Sequence, residues 1–187
     1  RGWKVVWMGT PAGMEGRLVA QAGYPLEKVA MTGVRGKGYL AWLLLPVRLL
    51  VAFWQSSAVL FRVRPDVVLS MGGYVAFPGG MMAALWGKPL VVHEPGATAG
   101  LANRALALVA DRVVAGMEGA FEARTGHPVG DRIPRPRRVE WLGTPVREEI
   151  ARVPAPAERY RGRAGPLRLL VVGGSLGAQT LNELVVA

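Results

Sequence analysis

Two runs in this 187-residue chain place chemistry-bearing residues where a parallel sheet would present them. Between Pro65 and Glu94 an apolar run (Val67, Val68, Leu69) leads into Gly72-Gly73-Tyr74, and a second run from Leu90 ends on His93-Glu94. The first run reads as a strand buried on both faces. Ala76 to Trp86 then reads as a helix closed by Gly87. Two such strand ends side by side make a crevice at the carboxyl edge, where open α/β sheets bind ligands. A neutral imidazole at that edge can accept a proton near pH 7. A bland reading stands beside the chemical one: His93 as a hydrogen-bonded strand-end residue and Glu94 as a cap for the next helix. His127, in a Pro/Gly-rich loop, reads as incidental.

The second run is Leu167 to Val172, a strand, followed by Gly173-Gly174-Ser175-Leu176-Gly177 and a helix from Ala178. A strand entering a helix through glycines offers unpaired N–H groups and the helix dipole to an anion. Ser175 adds a hydroxyl donor. The spacing departs from GxGxxG and no acidic ribose ligand follows, which argues against a dinucleotide-dependent oxidoreductase. A third loop, Thr32 to Gly38, has three glycines with Arg35 and Lys37. It is either an anion-wrapping loop or an ordinary connection.

Elements to position these runs can be followed along the chain. Lys4–Met8 and Leu26–Met31 read as strands around a helix over Glu15–Ala22. Ala99–Val109 reads as a helix, Asp111–Ala115 and Val139–Leu142 as strands, and Glu122–Arg138 as loop. Alternating strands and helices are the pattern of a doubly wound parallel sheet. The break at Gly143–Arg147 predicts a boundary between residues 1–145 and residues 146–187. The chain opens at the approach to a strand and stops within a helical pattern, so it reads as an internal piece of a longer protein.

Tyr39 to Phe61 is long enough to span a bilayer. Its dozen or so Leu, Val and Phe residues contribute about −0.3 to −0.6 kcal/mol each, against about +2.5 to +3.5 kcal/mol for Arg48 near the centre. Hydropathy alone does not settle the matter, but position does. A span here would put the strands before and after it on opposite sides of a membrane. Pro46 predicts instead a break and a new helix, on which Arg48, Gln55 and Arg62 recur every seven residues as a polar stripe. Core burial and an apolar face on a membrane surface both fit. Trp42, Leu43, Leu44 and Leu45, beside Arg35 and Lys37, are the expected interfacial patch.

Lys and Arg total 23 against 13 Asp and Glu, a net charge of +10. Such a balance suits an anionic partner or reflects a surface rich in Arg. No basic block with interleaved aromatics is present, which argues against nucleic acid as a partner. Cysteine is absent, so disulfides and Cys-ligated metals are excluded.

Several pieces occur in one order: Trp7-Met8-Gly9-Thr10 with Met14-Glu15, Gly33 to Gly38, and Pro65-Asp66-Val67-Val68 with Gly72-Gly73-Tyr74-Val75. His93-Glu94, Gly100-Leu101-Ala102-Asn103-Arg104, Gly143 to Arg147 and Val171 to Ala178 follow. On these pieces the chain resembles the MurG family of glycosyltransferases. The resemblance implies a GT-B-like fold: a Rossmann-type doubly wound parallel sheet on the acceptor side, then the start of a second, donor-binding domain. It implies UDP-N-acetylglucosamine as donor and undecaprenyl-pyrophosphoryl-muramyl-pentapeptide lipid as acceptor, in peptidoglycan synthesis. No cofactor or metal is implied, and the place is peripheral, at the cytoplasmic face of the cell membrane.

By resemblance Arg147, Gly173, Gly174, Ser175 and Gly177 contact the donor, and Gly72, Gly73, Tyr74, His93 and Glu94 line the acceptor side. Trp86 joins the membrane patch. The family's candidate base would precede Arg1 and its uridine-recognising part would follow Ala187, so the resemblance implies no transfer by this chain alone. His93 and Glu94 remain the candidates for proton chemistry within it. Two departures stand out: Pro95-Gly96 where the family has Gln-Asn, and Thr144 where it has Asn. The competing reading is a basic, membrane-surface-binding Rossmann-type module without transferase activity.

Overall fold

The computed structural model describes residues 2–11, 13–31, 43–122, 130–136, 138–166, 168 and 170. Strands β1 (Trp7–Gly9) and β2 (Leu26–Lys28) pair in parallel, Trp7 opposite Leu26, joined by helix α1 (Met14–Gln21). Helix α2 (Leu45–Val63) leads into a four-stranded parallel sheet. Its strands are β3 (Val68–Ser70), β4 (Leu90–Glu94), β5 (Arg112–Ala115) and β6 (Glu140–Trp141), neighbours in chain order. Parallel neighbours need crossovers. Helix α3 (Ala76–Leu85) supplies the first and α4 (Leu101–Leu106) the second.

The helix ends follow local chemistry. Pro46 sits in the first turn of α2, where its missing N–H has no intrahelical partner to lose, and Arg64 ends the helix in the left-handed conformation. The sheet and α4 enclose Leu90, Val92, Leu106, Val113 and Phe121, with Phe77 and Met81 of α3 packed against them. A second cluster, Val29, Met31, Ala52 and Val75 with Met8 and Leu49, ties the β1–β2 pair to α2.

One expectation changes. Val67 to Leu69 is not buried on both faces, since Val67 and Leu69 are exposed. Among the described residues β3 has one ladder neighbour, β4, and β1 likewise has only β2. The strand that is buried is β4, where Leu90, Val92, His93 and Glu94 are all covered. On α2 two residues of the polar stripe, Gln55 and Arg62, reach β2 and the segment after it. Arg62 pairs with Glu27, and Gln55 Oε1 accepts the Ala30 N–H at 2.7 Å. The outward face is apolar: Val47, Leu50, Val51, Trp54 and Phe61 are exposed.

The chain divides into two compact units, Arg1–Pro145 and Val146–Ala187. The second has two short helices among its described residues, α5 (Glu148–Ala151) and α6 (Pro156–Arg159). Arg159 and Arg163 stack on the Tyr160 ring at 5.5 and 5.3 Å. The strand expected at Leu167–Val172 falls almost wholly outside the described residues, and the helix from Ala178 entirely so.

Candidate functional site

Strands β3 and β4 lie side by side with Ser70 opposite Val92, so their carboxyl ends emerge together. The chain leaves β3 through Gly72 (φ +87°) and Gly73 (φ +93°), a region that costs an L-residue about 1–2 kcal/mol. A Cβ on Gly72 would stand 3.3 Å from Asn103 Nδ2, so this turn lies directly against the start of α4. Tyr74 follows it and is exposed.

At the end of β4 the buried Glu94 carboxylate folds the next loop around itself. Its Oε1 accepts the Gly96 N–H at 2.9 Å, and its Oε2 accepts the Gly100 N–H at 3.1 Å and Asn103 Nδ2 at 2.9 Å. Asn103 Nδ2 also donates to the His93 carbonyl at 3.3 Å. Arg104 beside it donates from Nε to the Ala99 carbonyl at 3.0 Å. Three of the carboxylate's roughly four acceptor sites are therefore occupied from within. Glu94 is a loop organiser here, and it engages the Gly96 N–H.

His93, on the next strand position, turns to the other side. Its Nε2 lies 3.2 Å from the Gly143 carbonyl, and the ring is buried. Trp141 Nε1 donates to the Gly116 carbonyl at 3.3 Å, and the Thr144 hydroxyl donates to the Pro95 carbonyl at 3.4 Å. The segment after β6 is thus laid across the same edge. Among the described residues four buried polar atoms have no partner: Ser70 Oγ, His93 Nδ1 and Asn103 Oδ1 here, and Ser56 Oγ on α2. Ser70 and His93 stand at neighbouring strand ends and Asn103 in the first turn of α4, so the edge keeps unspent hydrogen-bonding capacity beneath its surface.

The sequence-predicted residues divide cleanly. Gly72, Gly73, Tyr74, His93 and Glu94 do come together. Arg147 lies in the second unit, where it precedes α5 and its carbonyl accepts the N–H groups of Ile150 and Ala151. Gly173, Gly174, Ser175 and Gly177 lie outside the described residues, as do Arg35, Lys37, Trp42 and His127. Leu43 and Leu44 are exposed, but Leu45 packs partly against the second core cluster. Trp86 is half exposed, stacks edge-on against Phe61 at 4.6 Å, and donates from Nε1 to Ser57 Oγ at 3.3 Å.

Sequence reasoning missed Asn103 as a site residue and Gly116 as the place where the edge is tightest. A Cβ on Gly116 would stand 2.1 Å from Thr144 Oγ1. The signal available for Asn103 was an Asn-Arg pair opening an otherwise apolar helix. Of the two readings left open for the second helix, an outer apolar face is present, with Val47, Leu50, Trp54 and Phe61 exposed at helical spacing.

A cavity of about 430 Å³ opens elsewhere, at the amino ends of β5 and β6, lined by Leu108, Asp111, Arg112, Arg135, Arg138 and Glu140 among others. Its charges hold structure together. Asp111 accepts the Leu90 N–H at 2.7 Å, Arg112 faces Glu140 at 3.6 Å, and Arg135 donates to the Glu122 carbonyl at 3.2 Å. We therefore place the candidate site at the carboxyl edge, where the glycine turn and the two strand ends converge, and not at this hollow.

A parallel sheet with crossover helices, opening its carboxyl edge through a glycine turn, is a ligand-binding Rossmann-type α/β unit. The description "Glycosyltransferase family 28 N-terminal domain" matches residues 1–115, and the chain belongs to that glycosyltransferase family. It is 55% identical over 185 residues to the UDP-N-acetylglucosamine--N-acetylmuramyl-(pentapeptide) pyrophosphoryl-undecaprenol N-acetylglucosamine transferase of Ralstonia nicotianae, covering 99% of this chain and 47% of that one. With the protein of the same name from Nitrosospira multiformis the identity is 53% over 184 residues, covering 98% and 48%. The crystal structure of Acinetobacter baumannii MurG superposes with a TM-score of 0.72 at 32% identity, covering 97% of this chain and 47% of that chain. The chain spans about half the length of the curated relatives it matches. The expected fold class, a GT-B-like Rossmann-type parallel sheet, is the observed one.

Proposed function

We propose that this chain is the acceptor-side part of a hexosyltransferase of peptidoglycan synthesis. The reaction moves N-acetylglucosamine from UDP-N-acetylglucosamine to the undecaprenyl-pyrophosphoryl-muramyl-pentapeptide lipid. The observation that carries this reading is identity of 53–55% across nearly the whole chain to proteins named for that transfer. The acceptor hydroxyl displaces the UDP group at the sugar carbon, which needs a base at the hydroxyl and positive potential at the departing diphosphate. In this reading residues 1–145 hold the acceptor, with Gly72, Gly73 and Tyr74 lining the crevice and His93, Glu94 and Asn103 shaping it. Residues 146–187 begin the donor side, with Arg147, Gly173, Gly174, Ser175 and Gly177 toward the nucleotide sugar.

The lipid substrate requires the protein to work at a bilayer. The outer face of α2 supplies an apolar surface: Trp54 is 74% exposed and Leu50 69%, with Phe61 and Trp86 adjoining. Aromatic and aliphatic side chains of this kind enter the interface, and a net charge of +10 draws the chain to anionic lipid. No helix among the described residues is long and apolar enough to cross a membrane. Attachment is proposed to be peripheral, by this face, on the cytoplasmic side.

Vesicle sedimentation tests the reading. Phosphatidylglycerol vesicles carrying the muramyl-pentapeptide lipid should bind this chain more tightly than plain ones, with the difference surviving high salt. Equal binding to both would sink the acceptor reading and leave the basic membrane-surface module. Transfer of labelled N-acetylglucosamine by this chain alone would overturn the proposed division of labour.

A further inference from the structure

The segment leading out of the first unit, Leu142 to Pro145, is held across the carboxyl ends of β4 and β5 by few ties. The Leu142 N–H donates to the Ala115 carbonyl at 3.2 Å, Thr144 reaches Pro95 at 3.4 Å, and His93 Nε2 meets the Gly143 carbonyl at 3.2 Å. We propose that His93 is a positioning residue whose Nε2–H clasps this strap to the crevice edge, and that it does not act as a proton acceptor.

A backbone carbonyl can only accept, so the ring nitrogen facing Gly143 carries the hydrogen. In the neutral ring the bare acceptor is then Nδ1. That atom is buried and unpartnered. A general base must stand within hydrogen-bond reach of the hydroxyl it deprotonates, and Nδ1 of His93 is closed off from one. Meanwhile the strap has a defined seat. Gly143 takes φ +80°, a conformation that favours glycine, and the missing Cβ of Gly116 leaves the space that the Thr144 hydroxyl occupies. His93 is the tie that joins this seat to β4 itself, the strand on which the crevice is built. The strap is therefore registered to the same residues that shape the crevice.

The test uses ¹⁵N-histidine labelling of this chain, which has two histidines, with the His93 signals assigned by their loss in His93→Gln. In its neutral form His93 should be the Nε2–H tautomer, a measurement that needs no variant. The Leu142 amide should exchange about five- to tenfold faster in His93→Ala, the loss of one hydrogen bond. His93→Gln, whose amide N–H₂ reaches where Nε2 stood, should stay within about twofold of the parent. His93→Asn, which mimics Nδ1, should behave like His93→Ala. An Nδ1–H tautomer, unchanged exchange in His93→Ala, or a Gln variant as fast as the Ala variant would each overturn the clasp.

A last arm alone rests on the transferase reading. At the equivalent histidine of a full-length family member, Gln should keep turnover and Ala should lose it. A base would lose about 10²- to 10⁴-fold in both.

Discussion

The two edges of the four-stranded sheet solve opposite problems. At the amino edge, prolines and arginines surround a cavity of about 430 Å³, yet each acid there has a structural partner. At the carboxyl edge there are glycines, a buried carboxylate and three buried polar atoms without partners. A hollow whose charges cross-link strands offers a ligand little, whereas two strand ends that open through a glycine turn leave backbone within a ligand's reach.

The contrast is sharpest at Glu94. Replacing it with Ala strands two backbone N–H groups and the Asn103 amide in a buried site. Hydrogen bonds to a charged group are worth about 1.5–3 kcal/mol each, and partial rescue by water leaves an expected loss of about 3–4 kcal/mol in urea unfolding. A loss below about 1 kcal/mol would mean the carboxylate is not the organiser of the edge. Gly116→Ala comes next. Its Cβ would meet Thr144 Oγ1 at 2.1 Å and the Pro95 carbonyl at 3.0 Å, and backbone cannot move aside cheaply. We expect a cost of about 1–3 kcal/mol, with a shifted Trp141 emission as the strap lifts.

A smaller effect belongs to Glu15, which does at the end of β1 what Glu94 does at the end of β4. Its Oε1 accepts the Thr10 N–H at 3.0 Å and the Thr10 hydroxyl at 2.8 Å. Hydrogen bonds from backbone N–H groups, its own first and then that of Thr10, hold its carboxyl below the usual glutamate value. A depressed folded-state value means the stabilisation is present above the ordinary carboxylate range and is lost as pH falls through the folded value. Unfolding midpoints of the parent and of Glu15→Gln should converge as pH drops below that range. Parallel curves would remove Glu15 from this role. The smallest effect should come from the amino edge, where Arg112→Ala breaks a pair with one partner 68% exposed. Exposed pairs contribute about 0–1 kcal/mol, so a loss comparable to that of Glu94→Ala would dissolve the contrast.

Much of this was legible in the residues, for reasons that are local. Strand–glycine–helix order, the break at Pro46 and the helix stop at Gly87 are written in backbone propensities, and they predicted β3, α2, α3 and β4 to within a few positions. The convergence of Gly72-Gly73-Tyr74 with His93-Glu94 followed from placing two parallel strands side by side. Burial was less legible. Val67 to Leu69 has the composition of a covered strand, but cover depends on neighbours that a window of residues does not contain. The polar stripe on α2 was visible, but the partners of Gln55 and Arg62 were not, because Glu27 and Ala30 lie far back in the chain. Asn103 and Gly116 escaped for the same reason: their importance is a distance to residues remote in sequence.

β1 and β3 each carry a row of peptide groups without a second ladder neighbour among the described residues, with Trp7, Val67 and Leu69 exposed beside them. Such rows are templates for another strand, and chains displaying them stick to one another. In solution the consequence is colloidal. Where these rows stay uncovered, copies of this chain should associate reversibly through them, with dilution favouring single copies.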